Sequence, residues 1–300
     1  HMKIAVASGK GGTGKTTVAV NMALSLERDV SLFDCDVEEP NSNIFLNVET
    51  EVIEELEMRM PVIDEETCTH CGRCAELCEF NALAVLKDQV MVFEELCHAC
   101  GLCSMGCPVD AISEKGRRIG VIERGRAEFG SSIIDFYQGV LDVGEALSTP
   151  LISGLKRYTE GGEEEDEKDK DRIDILDVPP GTGCPVIESL SGVDFTALVT
   201  EPTPFGLHDL KLSVEVVRKM DIPFGVIINM GGTGYDGVEE YCKDEDIPIL
   251  MTIPQDMKIA KLYSNGVPFV EEMPEYRDRF KGMFSKIEKT VNEQKNGVEG

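Results

Sequence analysis

Eight of the chain's 11 cysteines fall between positions 68 and 107, in two runs of identical spacing. Cys68, Cys71, Cys74 and Cys78 form C-x2-C-x2-C-x3-C; Cys97, Cys100, Cys103 and Cys107 repeat it, followed by Pro108. Thiolates are soft ligands, and three of them at equal short steps on one loop can take three corners of an iron–sulfur cubane. Zinc is the rival occupant, but zinc sites usually join two separate C-x2-C elements. A second chemistry lies near the start of the chain, where Gly9 to Thr16 fits G-x-x-x-x-G-K-[ST]. Such a loop wraps phosphate oxygens with backbone N–H groups. Its lysine, here Lys15, reaches the β- and γ-phosphates, and its hydroxyl, here Thr16, holds Mg²⁺.

These side chains need a frame to hold them. Short apolar runs recur at 3 to 7 (KIAVA), 30 to 34 (VSLFD), 173 to 177 (IDILD), 196 to 200 (TALVT), 224 to 229 (FGVIIN) and 248 to 252 (PILMT). That is the pattern of parallel strands buried on both faces. Helical patterns at Val18 to Leu26 and Leu207 to Met220 lie between them. The expected fold is therefore α/β, a mostly parallel sheet flanked by helices, with the phosphate loop between the first strand and the first helix. The cysteine runs interrupt this pattern and predict an inserted domain at 60–115, with 3–59 and 116–294 forming the host. Segments 117–129 and 131–143 predict strands that return the chain to the host sheet. The last helix places Tyr276, Phe280, Phe284, Ile287 and Val291 on one face, as core packing requires. Residues 160–172, EGGEEEDEKDKDR, predict a solvated loop.

Composition narrows the partners. A chain of 300 residues with 42% hydrophobic content holds one large α/β domain or two unequal ones. A net charge of −27 repels a duplex, and with no tryptophan there is little to stack bases on, so no nucleic-acid partner is expected. No stretch approaches the ~18 apolar residues of a membrane span. No export signal is evident either, so a cytoplasmic protein without stable membrane insertion is expected. An odd number of clustered cysteines in a reducing compartment points to metal rather than disulfides. His1 ahead of Met2 reads as the remnant of a tag.

Lys10 makes the phosphate loop more specific: KGGTGKT resembles the deviant Walker A of the MinD/ParA/Mrp ATPases, which include the nitrogenase iron protein. The resemblance implies ATP or ADP, Mg²⁺-dependent hydrolysis and a homodimer in which Lys10 crosses to the partner's phosphates. DCDVEEPN (34 to 41) resembles switch I, which implies that Asp36 orients the attacking water and Asp34 sits near Mg²⁺. ILDVPPGTG (175 to 183) resembles the Walker B and switch II region, with Asp177 reaching Mg²⁺ through water and Gly181 as the switch glycine. Asn229 stands where the family's adenine-contacting asparagine lies, and TEPTPFGLHDL and IPQDMKIAKLYSNGVPFV are similar to the Mrp branch. The implied catalytic residues are Lys10, Lys15 and Asp36. The implied nucleotide-binding residues are Gly9, Lys10, Gly11, Gly12, Thr13, Gly14, Lys15, Thr16, Thr17 and Asn229, with Thr16, Asp34 and Asp177 at Mg²⁺.

Residues 60–115 resemble bacterial-type ferredoxins with two [4Fe–4S] clusters, so the insertion is expected to be α+β and ferredoxin-like. In that type the fourth cysteine of each run serves the other cluster. The implied sets are Cys68, Cys71, Cys74, Cys107 and Cys97, Cys100, Cys103, Cys78. One departure is Glu79, which stands where the run has proline after its last cysteine. His70 and His98 are expected to be exposed loop residues, and Cys35 and Cys242 small buried ones. Cys184 follows Asp177 by the spacing at which the nitrogenase iron protein places a cluster-binding cysteine. It is either an additional cluster or iron site or an ordinary buried thiol.

These resemblances imply an ATPase that couples nucleotide-driven dimer switching to iron–sulfur or metal-cluster assembly or carriage, with an acceptor metalloprotein as partner. The alternative is an ATP-gated electron-transfer protein with a redox partner. Mrp-type carriers usually have a C-terminal C-x2-C, and no cysteine follows Val270 here. A positioning ATPase of the MinD/ParA kind would want a basic surface or a membrane helix, and the sequence offers neither.

Overall fold

Ile4 and Val6 are buried on one side of the first strand, Ala5 and Ala7 on the other. This is the two-residue alternation of a strand covered by helices on both faces. In the computed structural model, which describes residues 1–130, 132–159, 172–232 and 234–298, this strand, β1 (Met2–Ala7), lies inside a nine-stranded sheet. The chain continues through α1 (Lys15–Ser25), β2 (Val30–Asp34), α2 (Ser42–Leu46) and β3 (Thr50–Ile63). The cysteine-bearing segment contains α3 (Arg73–Leu77), β4 (Leu83–Val85), β5 (Val90–Val92) and α4 (Leu102–Met105). The chain returns as β6 (Ile112–Phe129), β7 (Ser132–Leu141) and α5 (Thr149–Lys156). It then alternates through β8 (Ile173–Asp177), α6 (Cys184–Leu190), β9 (Phe195–Thr200), α7 (Pro204–Lys219), β10 (Phe224–Gly231), α8 (Gly237–Asp244) and β11 (Ile249–Pro254). Three helices close the chain: α9 (Met257–Ser264), α10 (Phe269–Glu272) and α11 (Glu275–Val298).

The sheet order is β11-β10-β9-β1-β8-β2-β7-β6-β3, parallel from β11 to β7 and antiparallel in the last two steps. It is the α/β, mostly parallel sheet expected. Helix α1 is buried nearly all round because it lies between the sheet and α11. Tyr276, Phe280, Phe284, Ile287 and Val291 of α11 are all buried in that core. The acidic run at 160–172 lies, apart from Arg172, outside the described residues. Among the described residues no helix is long and apolar enough to cross a membrane.

The two antiparallel strands bear most on function. β6 pairs with β7 from Phe129 to Gly120, but with β3 from Gly125 out to Ile112. The outer parts of β3 and β6 therefore form a two-stranded stem that continues past Leu141, the carboxyl end of β7. Because β7 runs parallel to β2, this is also the edge at which β2 and β8 end in Asp34 and Asp177. The domain boundaries expected at 59/60 and 115/116 fall inside β3 and β6. Both strands belong to the nine-stranded sheet, and the cysteine-bearing segment between them is 64–111. At the end of the stem Ile63 and Ile112 pack against a small core of Cys74, Leu83, Val90 and Cys103.

Candidate functional site

The loop between β1 and α1 turns on Gly12 and Gly14, whose φ values of 78° and 90° are left-handed. A Cβ on Gly14 would lie 2.3 Å from Asn229 Nδ2, and that amide donates to the Thr13 carbonyl at 2.8 Å. Asn229, at the end of β10, thus braces the phosphate loop as well as lining the cavity above it. Gly14→Ala combines backbone strain with this collision and is expected to cost about 2 kcal/mol. For a domain of this size that is a fall of about 5 °C in Tm, measured by thermal unfolding without nucleotide. An unchanged Tm would mean that Asn229 simply moves aside.

The cavity is about 560 Å³ and is lined by the loop glycines, Lys15, Thr16, Thr17, Asp36 and Asn229. Part of its remaining wall comes from Met230, Gln255, Asp256, Ile259 and Tyr263, none of which sequence reasoning assigned to a site. The readable signal was Asp256, which ends a strand turn and caps α9 by accepting from Lys258 N at 2.6 Å.

Three aspartates converge on the floor. Asp34 accepts from the backbone N–H groups of Asp36 (3.1 Å), Asn41 (3.0 Å) and Ser42 (3.0 Å). Asp177 Oδ2 accepts from Thr16 Oγ1 at 2.5 Å and from Ser42 Oγ at 3.5 Å. Its Oδ1 is buried and has no hydrogen-bond partner, an arrangement costly unless a further donor arrives. Burial, then the charge of Asp34, pushes Asp177 up to about 8. Burial also raises Asp34, and burial followed by Asp34 pushes Asp36 up to about 6 against the pull of Lys15. The pocket is short of positive charge beside hard oxygen donors, so Thr16, Asp34 and Asp177 fit Mg²⁺ and a water bound to it.

Lys10 does not line this cavity. Its ammonium forms an ion pair with Glu201, just beyond β9. Gly181 adopts a φ of 101° and donates its N–H to the Ser8 carbonyl at 3.1 Å, which places the switch-like loop against the phosphate loop. Cys184 begins α6 and is exposed, not a buried thiol. Among the described residues no group of three His, Cys, Asp or Glu donors close enough for one ion includes it. Cys35 and Cys242 are buried.

The eight clustered cysteines surround two cavities. Cys68, Cys71, Cys74 and Cys107 line one, together with Ile63 and Ile112 at the far end of the stem. Cys78, Cys97, Cys100 and Cys103 line the other, beside Arg59, Pro61 and Glu114, nearer the ATPase sheet. Each cavity thus takes three cysteines from one run and the last from the other. The runs fold alike: His70 and Gly72 have φ of 52° and 82°, and Ala99 and Gly101 have φ of 51° and 73°. Backbone N–H groups of His70, Ala82, Ala99 and Ala111 point at the sulfurs of Cys68, Cys78, Cys97 and Cys107 at 3.4, 3.2, 3.5 and 3.3 Å. Among the described residues no three cysteine sulfurs lie within 4.8 Å of one another. A zinc tetrahedron with ~2.3 Å bonds needs sulfurs about 3.8 Å apart, so these thiols do not form a preformed zinc tetrahedron. His98 is exposed and stacks on Phe80 at 3.7 Å, whereas His70 is half-buried against Glu65.

A phosphate loop at the carboxyl edge of a parallel sheet, with aspartates ending the neighbouring strands, defines the class of P-loop ATPases. More narrowly, the CobQ/CobB/MinD/ParA nucleotide binding domain family matches residues 4–269, and the chain belongs to it. An uncharacterized protein of Methanocaldococcus jannaschii is 30% identical over 97% of this chain and 98% of its own length. The chain is distantly related to iron-sulfur cluster carrier proteins. That of M. jannaschii is 24% identical over 98% of this chain and 86% of its own, and that of Pyrococcus abyssi 26% over 89% and 79%. The fold is similar to the septum site-determining protein MinD of Pyrococcus horikoshii, solved with Mg-ADP, with a TM-score of 0.58 at 20% identity over 97% of both chains.

Proposed function

We propose that this chain is a Mg²⁺-dependent ATPase that works as a homodimer. It couples nucleotide-driven switching to the assembly or carriage of iron–sulfur or related metal clusters, and holds two [4Fe–4S] clusters of its own. The observation that carries the reading is the pair of four-thiol cavities on a stem that is itself part of the ATPase sheet. The distant relationship to iron-sulfur cluster carriers supports it. Bound Mg²⁺ would supply charge neutralisation at the β- and γ-phosphates, and the clusters one-electron chemistry at low potential. The loop glycines and Thr17 cradle phosphate, Lys15 offsets its charge, and Asp36 orients the attacking water. Lys10 serves the opposite copy.

That last role requires Lys10 to leave Glu201. Two such pairs per dimer at roughly 0.5 kcal/mol each amount to about fivefold in association. Glu201→Gln is therefore expected to lower, by about fivefold, the concentration at which copies associate with Mg²⁺ and a non-hydrolysable ATP analogue. Sedimentation velocity measures this, and unaltered association would mean that the pair does not compete with the dimer.

A second reading, ATP-gated electron delivery to a redox partner, is favoured by the burial of Cys74, Cys97 and Cys103. Covered ligands suit a resident cluster better than one handed on. The deciding experiment loads the chain anaerobically with labelled iron and sulfide and mixes it with an apo-ferredoxin, with and without Mg-ATP. ATP-dependent transfer of label supports assembly or carriage. Retained label with a nucleotide-dependent reduction potential supports electron delivery, and a chain that takes up no iron removes both.

A further inference from the structure

Arg117 stands on the stem where three parts of the molecule meet. Its Nη1 donates to Glu145 Oε2 at 2.5 Å, and the Glu145 side chain is only 4% exposed, on the segment after β7. Its Nε lies 3.6 Å from Glu94 Oε2, in the single turn Glu94–Leu96 that leads into Cys97. The Cys97 N–H donates back to the Glu94 carbonyl at 3.2 Å. Arg117 Nη2 is buried and has no hydrogen-bond partner, so its position carries a desolvation cost that a further acceptor would offset. Glu145 first, and more weakly Glu94 and a Cys97 thiolate, hold the guanidinium proton more tightly than usual.

On its other side this residue is tied to the nucleotide site. Val37 follows Asp36, and its carbonyl accepts from Leu141 N at 2.9 Å. Asp142 comes next: its N–H donates to the Ile119 carbonyl at 2.9 Å, its carboxylate holds Arg118 at 2.8 and 3.0 Å, and its carbonyl accepts from Glu145 N at 3.0 Å. These contacts join the 34–41 segment through one turn to the carboxylate that neutralises Arg117.

We propose that Arg117 sets the reduction potential of the cluster held by Cys78, Cys97, Cys100 and Cys103, and that the nucleotide site adjusts this potential by moving Glu145. The inference rests on the cluster reading above. Reduction adds one negative charge to the cluster, and a neighbouring guanidinium stabilises the reduced form, raising the potential. Glu145 offsets part of that charge, so loosening the pair strengthens the effect. The other four-thiol set lies beyond, at Ile63 and Ile112, and feels it less.

The test uses the holoprotein, titrated anaerobically with dithionite and followed by electron paramagnetic resonance. It is run without nucleotide, with Mg-ADP, and with Mg²⁺ and a non-hydrolysable ATP analogue. Cys100→Ser and Cys71→Ser assign each signal to its set. Arg117→Gln is expected to make reduction of the nearer cluster tenfold less favourable, about 59 mV for a one-electron couple, while the farther cluster shifts much less. Arg117→Lys restores most of the loss. Glu145→Gln keeps the guanidinium, removes its counter-charge, and shifts the same potential upward. The glutamine variants both lose the nucleotide dependence. A packing defect would not give opposite signs at one cluster. Shifts of the same sign, equal shifts at both clusters, or a wild-type potential indifferent to nucleotide would overturn the inference and leave the cluster reading standing. A wild-type chain without iron overturns both.

Discussion

Lys15→Ala is expected to lower kcat/KM for ATP hydrolysis by about 10³-fold or more and to abolish measurable nucleotide binding. Lys15 is 7% exposed and is the cation among cavity-lining residues that also include Asp36, Glu39 and Asp256, with Asp34 and Asp177 buried nearby. Its charge opposes the upward shift of both Asp36 and Asp177, so its removal leaves the floor more repulsive to phosphate. The loss of a counter-charge inside a mostly dry site is felt most where negative charge accumulates on the transferring group. Phosphate release and titration with a fluescent ATP analogue measure the two effects. Hydrolysis within tenfold of wild type would remove Lys15 from the phosphate site. Iron and sulfide content should be unaffected, because no cysteine lines that cavity.

The second large effect concerns the crossing of the cysteine runs. Cys78→Ser and Cys97→Ser, from different runs, are expected to lose one and the same cluster, halving iron and acid-labile sulfide. The double variant should fall no further. Cys68→Ser combined with Cys78→Ser, from a single run, should lose both clusters and nearly all the iron. If each run held its own cluster the two doubles would exchange results, so four metal analyses decide the matter. The expectation follows from which thiols share a cavity, combined with the loss of a soft ligand that serine oxygen replaces poorly.

The central strands were legible because each is apolar on both faces; IDILD and VSLFD are buried at every position. The phosphate loop was legible because its chemistry is local. β3 was not legible as a strand: its run TEVIEELEMRMPVI scatters Glu51, Glu54, Glu55 and Glu57 among exposed Val52 and Ile53. Such charge is tolerated on an edge strand that needs only one neighbour, and it erases the alternation that marks a half-buried one. The far wall of the nucleotide cavity escaped for another reason. Gln255 and Tyr263 carry no motif and reach the pocket only because β11 and α9 fold back beside β10. The pairs Lys10–Glu201 and Arg117–Glu145 likewise join distant segments, and nothing in their own neighbourhoods announces them. The crossed grouping of cysteines came from resemblance, since spacing alone allows either pairing.

From Gly120, where β7 stops, the stem runs to Ile112, a reach of about 27 Å at ~3.4 Å per residue. Rooted at one end in a sheet, it has the geometry of a lever. Rocking by about 10° at the root displaces the free end by about 5 Å and a midpoint by about half that. The four thiols around Cys68 ride near the free end and those around Cys97 closer to the pivot. A rotation of that size would therefore carry the inner site, beside Arg59, Pro61 and Glu114, by about 3 Å and the outer one by about 5 Å, a graded displacement that moves the two thiol sets by different amounts.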